Sequence, residues 1–162
     1  MVTPAVLERA RRAAAAVLDP EVPVLTIDDL GVLREVNVHG DGRVDVAITP
    51  TYSGCPAMDA IRQDVTKALE DEGFDDVTVR LVLSPAWTTD WMSQAGKAKL
   101  LDYGIAPPDH RTSGPVRVRL SLRCPQCGSG ATHELSRFGS TACKSLWVCD
   151  DCREPFDHFK AH

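Results

Sequence analysis

Six cysteines stand among 162 residues, and four of them come in pairs: "CPQC" supplies Cys124 and Cys127, and "CDDC" supplies Cys149 and Cys152. Two residues between thiols let one tight bend carry both sulfurs to the same side, so two such turns furnish a tetrahedral four-sulfur site. The 21 residues between the turns are one more than ribbon-type zinc sites usually show. Gly128 suits its turn because glycine tolerates a positive φ, whereas Arg153 holds the equivalent place in the second turn, a less typical choice. Four protein thiolates leave no coordination position for a substrate, which predicts a structural metal. Zinc is the expected ion; iron, alone or in a cluster, uses the same ligands. Cys143, six residues before Cys149, is either an additional ligand or a small buried apolar residue.

Cys55 stands apart, in "TYSGCPAMDAI". Pro56 is expected at the first position of a helix, which puts the Cys55 sulfur before the unpaired amides of the first turn and favours a thiolate. Gly54 gives close backbone access, and Thr51, Tyr52 and Ser53 line the approach. The alternative is a buried cysteine plugging a strand–helix corner. No histidine lies nearby in sequence to serve as a base: His39 is on a predicted hairpin turn and His110 in a predicted linker. Asp19, Glu21, Asp28 and Asp29 form an acidic loop whose composition suits solvated turn formers as well as ligands.

The elements that must position these residues follow from periodicity. Thr3 and Pro4 open a helix with Val6, Ala10, Ala13 and Val17 as its apolar stripe. "DPEVPVLTIDDLG" reads as a folded loop. Val32, Val36 and Val38 alternate with Leu33, Glu35 and Asn37; after "HGDGR", Val44, Val46 and Ile48 alternate in turn, which is a β-hairpin. A helix runs from Pro56 to Gly73, a strand carries Val77, Val79, Leu81 and Leu83, and a last helix spans about Thr89 to Leu101, with Trp87 and Trp91 as core or lid residues. The expectation is an α+β chain: a two-layer α/β sandwich of order α-β-β-α-β-α with a three-stranded sheet, then a small C-terminal zinc-ribbon-like β module. Domain bounds are predicted at 1–105 and 116–162, joined by the linker "APPDHRTSGP" from 106 to 115. In the second, the strand "VRVRLSLRC" should lead into the first knuckle with Val116, Val118, Leu120 and Leu122 alternating.

A net charge of −5 gives no electrostatic case for nucleic acid or an anionic membrane as partner. The first 19 residues carry charges within their apolar run, unlike a signal peptide or a spanning segment. The expected setting is the cytoplasm, where thiols stay reduced.

"DPEVPVLTIDDLGVL", the hairpin, "TPTYSGCPAMDAI" and "SPAWTTDWMS" together resemble the iron–sulfur maturation domain of Suf-T-type proteins over about residues 7–105. "CPQCGS", "FGSTACKSLWVCDDC" and "EPFDHFK" look like the tail of the D-protein family of bacterial phenylacetate degradation. The resemblance implies an accessory, non-catalytic role beside the oxygenase and reductase subunits of a phenylacetyl-CoA epoxidase, helping to mature iron or iron–sulfur centres. It implicates Asp19, Pro20, Glu21, Asp29, Gly31, Thr51, Gly54, Cys55 and Pro56, with Cys55 a transient metal, cluster or reactive thiol site. Where similar proteins carry a further cysteine near the end, this chain has "FDHFKAH", with no terminal thiol for a cluster. A bracing subunit without maturation chemistry is the alternative, and a thiol enzyme a third reading that lacks a base. Neither the Glu-x-x-His pairs of a di-iron site nor a GxGxxG turn is present. Self-association is left open by the sequence.

Overall fold

The computed structural model describes residues 3–108 and 121–161. It divides into two compact units: Met1–Trp87 with Trp91–Ser93, and Thr88–Asp90 with Gln94–His162. No helix among the described residues is long and apolar enough to cross a membrane.

In the first unit, α1 (Pro4–Ala15) begins with proline at its first turn, where a missing N–H costs nothing; Thr3 takes the cap position without a side-chain bond. The strands β1 (Leu33–Val38) and β2 (Val44–Ile48) form the expected antiparallel hairpin. From β2 the chain passes through α2 (Ala57–Asp71) to β3 (Val77–Leu81), which pairs with β2 in parallel. The sheet order is β1-β2-β3. Helix α1 packs on β1, α2 on β3, and the helices on each other, so both lie in one layer. Val44, Val46 and Ile48 of β2 are fully buried, as are Ala10 and Ala14 of α1 and Val65 and Leu69 of α2. Helix α2 ends in a pair of bonds, Gly73 N to Glu70 O at 2.9 Å and Phe74 N to Leu69 O at 3.1 Å, with Gly73 at φ 87°. That left-handed cap is why a glycine stops the helix.

The sheet differs from strict alternation at two places. Leu33, expected on the outer face with Glu35 and Asn37, is buried, because a bulge between Leu33 and Glu35 shifts the phase by one residue. Strand β3 ends at Leu81, and Leu81 and Leu83 are exposed rather than core. On the face of β2 opposite Val46, register sets Glu35 and Arg80 on either side of Ala47. Arg80 Nη2 donates to Glu35 Oε2 at 2.7 Å, and the pair spans the small side chain between them, which explains a buried alanine on that face.

The last predicted helix is broken. Thr89–Trp91 form a short 3-10 turn and α3 covers only Gln94–Asp102. The interruption has a cause in the "DLG" turn. Asp29 O accepts Ser93 N at 2.8 Å, and Asp29 Oδ1 accepts Ser93 Oγ at 3.0 Å, so Ser93 is tied to a loop instead of a helical carbonyl. Trp87 Nε1 donates to Leu30 O at 2.8 Å, and the Arg34 guanidinium lies 3.7 Å from the Trp91 ring centroid. Both tryptophans are therefore packing residues of the first unit.

In the second unit, where α3 also falls although it was expected within residues 1–105, the strands are β4 (Ile105–Ala106), β5 (Thr132–Ser136), β6 (Lys144–Cys149) and β7 (Pro155–Phe159). They form one sheet in the order β4-β7-β6-β5. All pairs are antiparallel except β4 with β7. Val116, Val118 and Leu120 of the predicted first strand, and most of the predicted linker, lie outside the described residues. Leu122 is buried but not in a strand; its N–H donates to Thr132 Oγ1 and its carbonyl accepts from the same hydroxyl.

Gly31 has φ 71°, and a Cβ there would lie 2.6 Å from the Trp91 carbonyl oxygen and 2.7 Å from its Cβ. Strain and overlap therefore act together. Gly31→Ala is expected to destabilise the first unit by about 2 kcal/mol or more, read as a lower midpoint in urea unfolding followed by tryptophan fluorescence.

Candidate functional site

The two CxxC turns are built alike. In the first, Gly128 N donates to Cys124 O at 2.8 Å and Cys124 N to Ser129 O at 2.9 Å; in the second, Arg153 N donates to Cys149 O at 3.0 Å and Cys149 N to Glu154 O at 3.0 Å. Gly128 and Arg153 both take positive φ, 75° and 66°. The arginine thus adopts the glycine conformation of its twin turn at the usual penalty for a side chain there.

The turns bring Cys124 and Cys152 sulfurs to 3.7 Å and those of Cys127 and Cys149 to 3.6 Å. All four sulfurs lie within 4.8 Å of one another. Four thiolates about 2.3 Å from one zinc ion sit about 3.8 Å apart at the corners of a tetrahedron, so the set fits a single ion. Its own protonation shows how crowded it is. The backbone N–H of Cys152 points at the Cys149 sulfur and, with that of Asp151 and the adjoining thiols, holds it down to about 7 against burial. Cys152 receives the N–H of Glu154, yet burial and the surrounding thiols push it up to about 12. Such a set takes up its metal as protons leave. Around it lie Ala106, Leu122, Trp147 and Phe156, a small core to which the cysteines themselves contribute.

Cys143 is outside this group. It precedes the first residue of β6 while Cys149 is the last, and six residues of strand separate them by about 20 Å. Cys143 is buried, and the Thr141 hydroxyl lies 3.0 Å from its sulfur. The neighbouring signature residues explain one another. Lys144, also buried, donates to Ser140 Oγ at 2.8 Å, and Ser140 Oγ donates to Asp157 Oδ2 at 2.8 Å. "FGSTACK" and "EPFDHFK" are thus two sides of one polar clasp.

In the first unit, Cys55 follows β2 on a turn closed by its own N–H to Tyr52 O at 3.3 Å. Gly54 supplies φ 79° at the third turn position; a Cβ there would meet open space, so the glycine serves the backbone angle and not access to the sulfur. Helix α2 begins at Ala57, one residue later than expected, with Pro56 at the cap. Thr51 and Cys55 are half-buried. The predicted low pKa is not observed. The Ala57 N–H lowers it as anticipated, and the Tyr52 side chain helps, but burial outweighs both, and the Glu21 and Asp19 carboxylates add to the rise. Cys55 rests as a thiol.

The acidic loop separates into two roles. Asp19 is buried and its Oδ1 accepts Glu21 N and Val22 N, each at 2.8 Å; this turn sets Asp19 and Glu21 where their charges reach Cys55. Asp29 is not part of that corner. Its Oδ2 accepts Thr26 N at 3.2 Å, the Thr26 hydroxyl accepts Asp29 N at 3.0 Å, and Oδ1 serves Ser93. Both oxygens are engaged in holding the loop. Asp28 lies 3.7 Å from an Arg11 nitrogen. His39 pairs with Asp45 at 2.6 Å at the hairpin end of the sheet, the full length of β2 from Cys55, and His110 is outside the described residues. Tyr52, expected only to line the approach, also hydrogen-bonds the Cys55 thiol through its side chain, a role that nothing in its spacing marks.

The PaaD zinc beta ribbon domain matches residues 108–160, and an iron–sulfur cluster assembly protein family matches residues 7–83. An Escherichia coli protein, provisionally named as the D component of 1,2-phenylacetyl-CoA epoxidase, is 51% identical over 142 residues, covering 88% of this chain and 85% of its own. A Porphyromonas gingivalis Fe–S protein maturation auxiliary factor is 39% identical over 90 residues, 55% of this chain and 85% of its own. A Bacillus anthracis crystal structure of a DUF59 domain superposes with a TM-score of 0.56 at 28% identity, over 59% of this chain and 92% of that one. The four-cysteine centre is accordingly a structural zinc site of ribbon type.

Cys124→Ser or Cys149→Ser should abolish stoichiometric zinc, measured by metal analysis, and collapse the amide dispersion of the ribbon while the first unit keeps its spectrum. Cys143→Ser should retain the metal. Arg153→Gly, which relieves the left-handed side chain, should raise the ribbon's stability by about 0.5–1 kcal/mol in thermal unfolding of the zinc-loaded chain.

Proposed function

Since the chain belongs to the PaaD family, sharing 51% identity with the Escherichia coli epoxidase protein across most of both, we propose that it is a cytoplasmic accessory protein of a phenylacetyl-CoA epoxidase that assists maturation of iron or iron–sulfur centres. Its clients are the oxygenase and reductase subunits. The organic substrate is not its concern. Labour is divided between a maturation-type domain over about residues 1–105 and a four-cysteine domain over 116–162.

One observation carries the proposal: a half-buried thiol that feels the charges of Glu21 and Asp19, separate from the cluster of four cysteines. Carboxylates near Cys55 disfavour a free thiolate but attract a cation, and a cation reverses the balance by displacing the thiol proton. Cargo metal is the substrate here. Cys55 offers it one soft donor, the charges of Glu21 and Asp19 attract it, and a single thiol leaves coordination positions for a client. Tyr52 and the Ala57 N–H hold the sulfur in orientation. The zinc ribbon does none of this chemistry; it keeps a docking module folded.

The bracing role is favoured by the same sulfur's burial, and one variant separates the two. Cys55→Ser should unfold within about 1 kcal/mol of the parent chain, since the side chains are near-isosteric and the site half-buried. Co-produced with the other epoxidase subunits it should give oxygenase deficient in iron and activity. Fully metallated, active oxygenase would transfer the lead to bracing, and a large loss of stability would make Cys55 a packing residue. In the zinc-loaded chain Cys55 should alkylate faster than buried Cys143 and faster than the metal-bound four, with a rate still climbing beyond pH 9, its thiol being raised above that ordinary value. A plateau near neutral pH contradicts the assigned environment.

A further inference from the structure

We propose that β3 is the contact strand of a symmetric homodimer, pairing antiparallel with β3 of a second copy of this chain about a two-fold axis at Thr78. The inference stands apart from any maturation role. It starts from the two edges of the first unit's sheet, β1 and β3. Strand β1 carries a bulge between Leu33 and Glu35, a device that spoils an edge for further pairing. Strand β3 lacks one. Its ladder to β2 runs without a register shift from Val77 to Leu81, and the strand contains no proline and no charge among Val77, Val79 and Leu81, its helix-side row.

The hydrogen bonds show which backbone groups are left over. Asp76 O accepts Val44 N and Val82 N donates to Ile48 O, each at 2.8 Å, so the even-numbered residues of β3 serve β2. The residues between them turn both backbone groups the other way, and Val77, Val79 and Leu81 present theirs at the open edge. An antiparallel mate must exchange bonds within this set. With the axis at Thr78, Val77 of each protomer does so with Val79 of the other. Charge selects this register. Asp76, Thr78 and Arg80 are all exposed and share the outer face. The axis sets Thr78 opposite Thr78, and each Asp76 opposite Arg80 of the other protomer, which are favourable cross-strand pairs. An axis at Arg80 would oppose like charges. One at Val79 would set Arg80 against Thr78 and Asp76 against Val82, and one at Leu81 would need Leu83, beyond the strand's end. Arg80 already donates to Glu35 at 2.7 Å; a guanidinium has further N–H donors and can hold a second carboxylate. On the helix side Val77 and Val79, half-buried in one copy, become a continuous row of valines across the junction. Leu81, 42% exposed, reaches diagonally to Val77 of the other protomer.

The test measures mass in solution by light scattering, over a dilution series of the full zinc-loaded chain. The expected mass at high concentration is twice the 17.6 kDa of one chain, falling toward the single value on dilution. Asp76→Arg and Arg80→Asp should each be monomeric at concentrations where the parent chain is dimeric, because each sets like charges across the axis. Mixed in equal amounts, the two variants should regain the doubled mass as a heterodimer, since every charge then faces its opposite. Val79→Pro, which deletes an outward N–H and leaves the β2 ladder whole, should be monomeric with an unchanged circular dichroism spectrum. A parent chain that stays monomeric at its highest soluble concentration, a dimer that survives either charge reversal, or folded variants that stay monomeric when mixed would each overturn the assignment.

Discussion

Asp29 closes the first unit. Its carboxylate and carbonyl hold Thr26 on one side and Ser93 on the other, and the turn it begins brings Gly31 against the Trp91 backbone. A loop with two prolines and four acids could be left solvated; here Leu25, Ile27 and Leu30 are sunk into the core, and the Asp29 bonds fix the loop's exit. Within the loop, Asp19 N donates to Leu25 O and Ile27 N to Val17 O, each at 2.9 Å, so the Asp19 turn is tied to the same segment that Asp29 secures.

The two sulfur sites solve opposite problems. At the ribbon, backbone N–H groups from Cys152, Asp151 and Glu154 point at sulfurs packed too closely to ionise together, so the site needs a cation to be comfortable and gains folding energy when it receives one. At Cys55 burial and the charges of Glu21 and Asp19 raise a single thiol, and the resting state is neutral. The first arrangement brings four thiols together from one chain; the second leaves one thiol under the influence of two carboxylates.

Much of this was legible from periodicity and spacing: the α-β-β-α-β order, the hairpin and the gathering of four cysteines all follow from residue types at fixed intervals. What was not legible has specific causes. A bulge at Leu33–Glu35 changes the side-chain phase without any mark in composition. Ser93 leaves the helical pattern because Asp29, 64 residues away, claims it. Strand β4 has two residues, too few to show alternation. Asp29 and Asp19 look alike in one acidic loop, and only the folded chain shows that Asp29 ties the loop to Ser93 while Asp19 closes its own turn and acts on Cys55 by charge alone. The protonation of Cys55 was hidden because a helix start lowers a thiol pKa by a local field, while burial and remote carboxylates raise it, and neither of those is local in sequence.

The sheet also has a polarity of traffic. Because β2 and β3 run parallel and β1 runs against them, the "DLG" turn, the Cys55 turn and the chain leaving β3 all emerge at one rim, whereas the His39–Arg43 turn stands at the other. At that second rim Gly40 and Gly42 face open space and the tip residues are largely exposed. The hairpin is consequently the natural place for a graft: an affinity tag, a fluorophore or even new chain ends can be engineered there with the whole depth of the sheet between the insertion and the thiol.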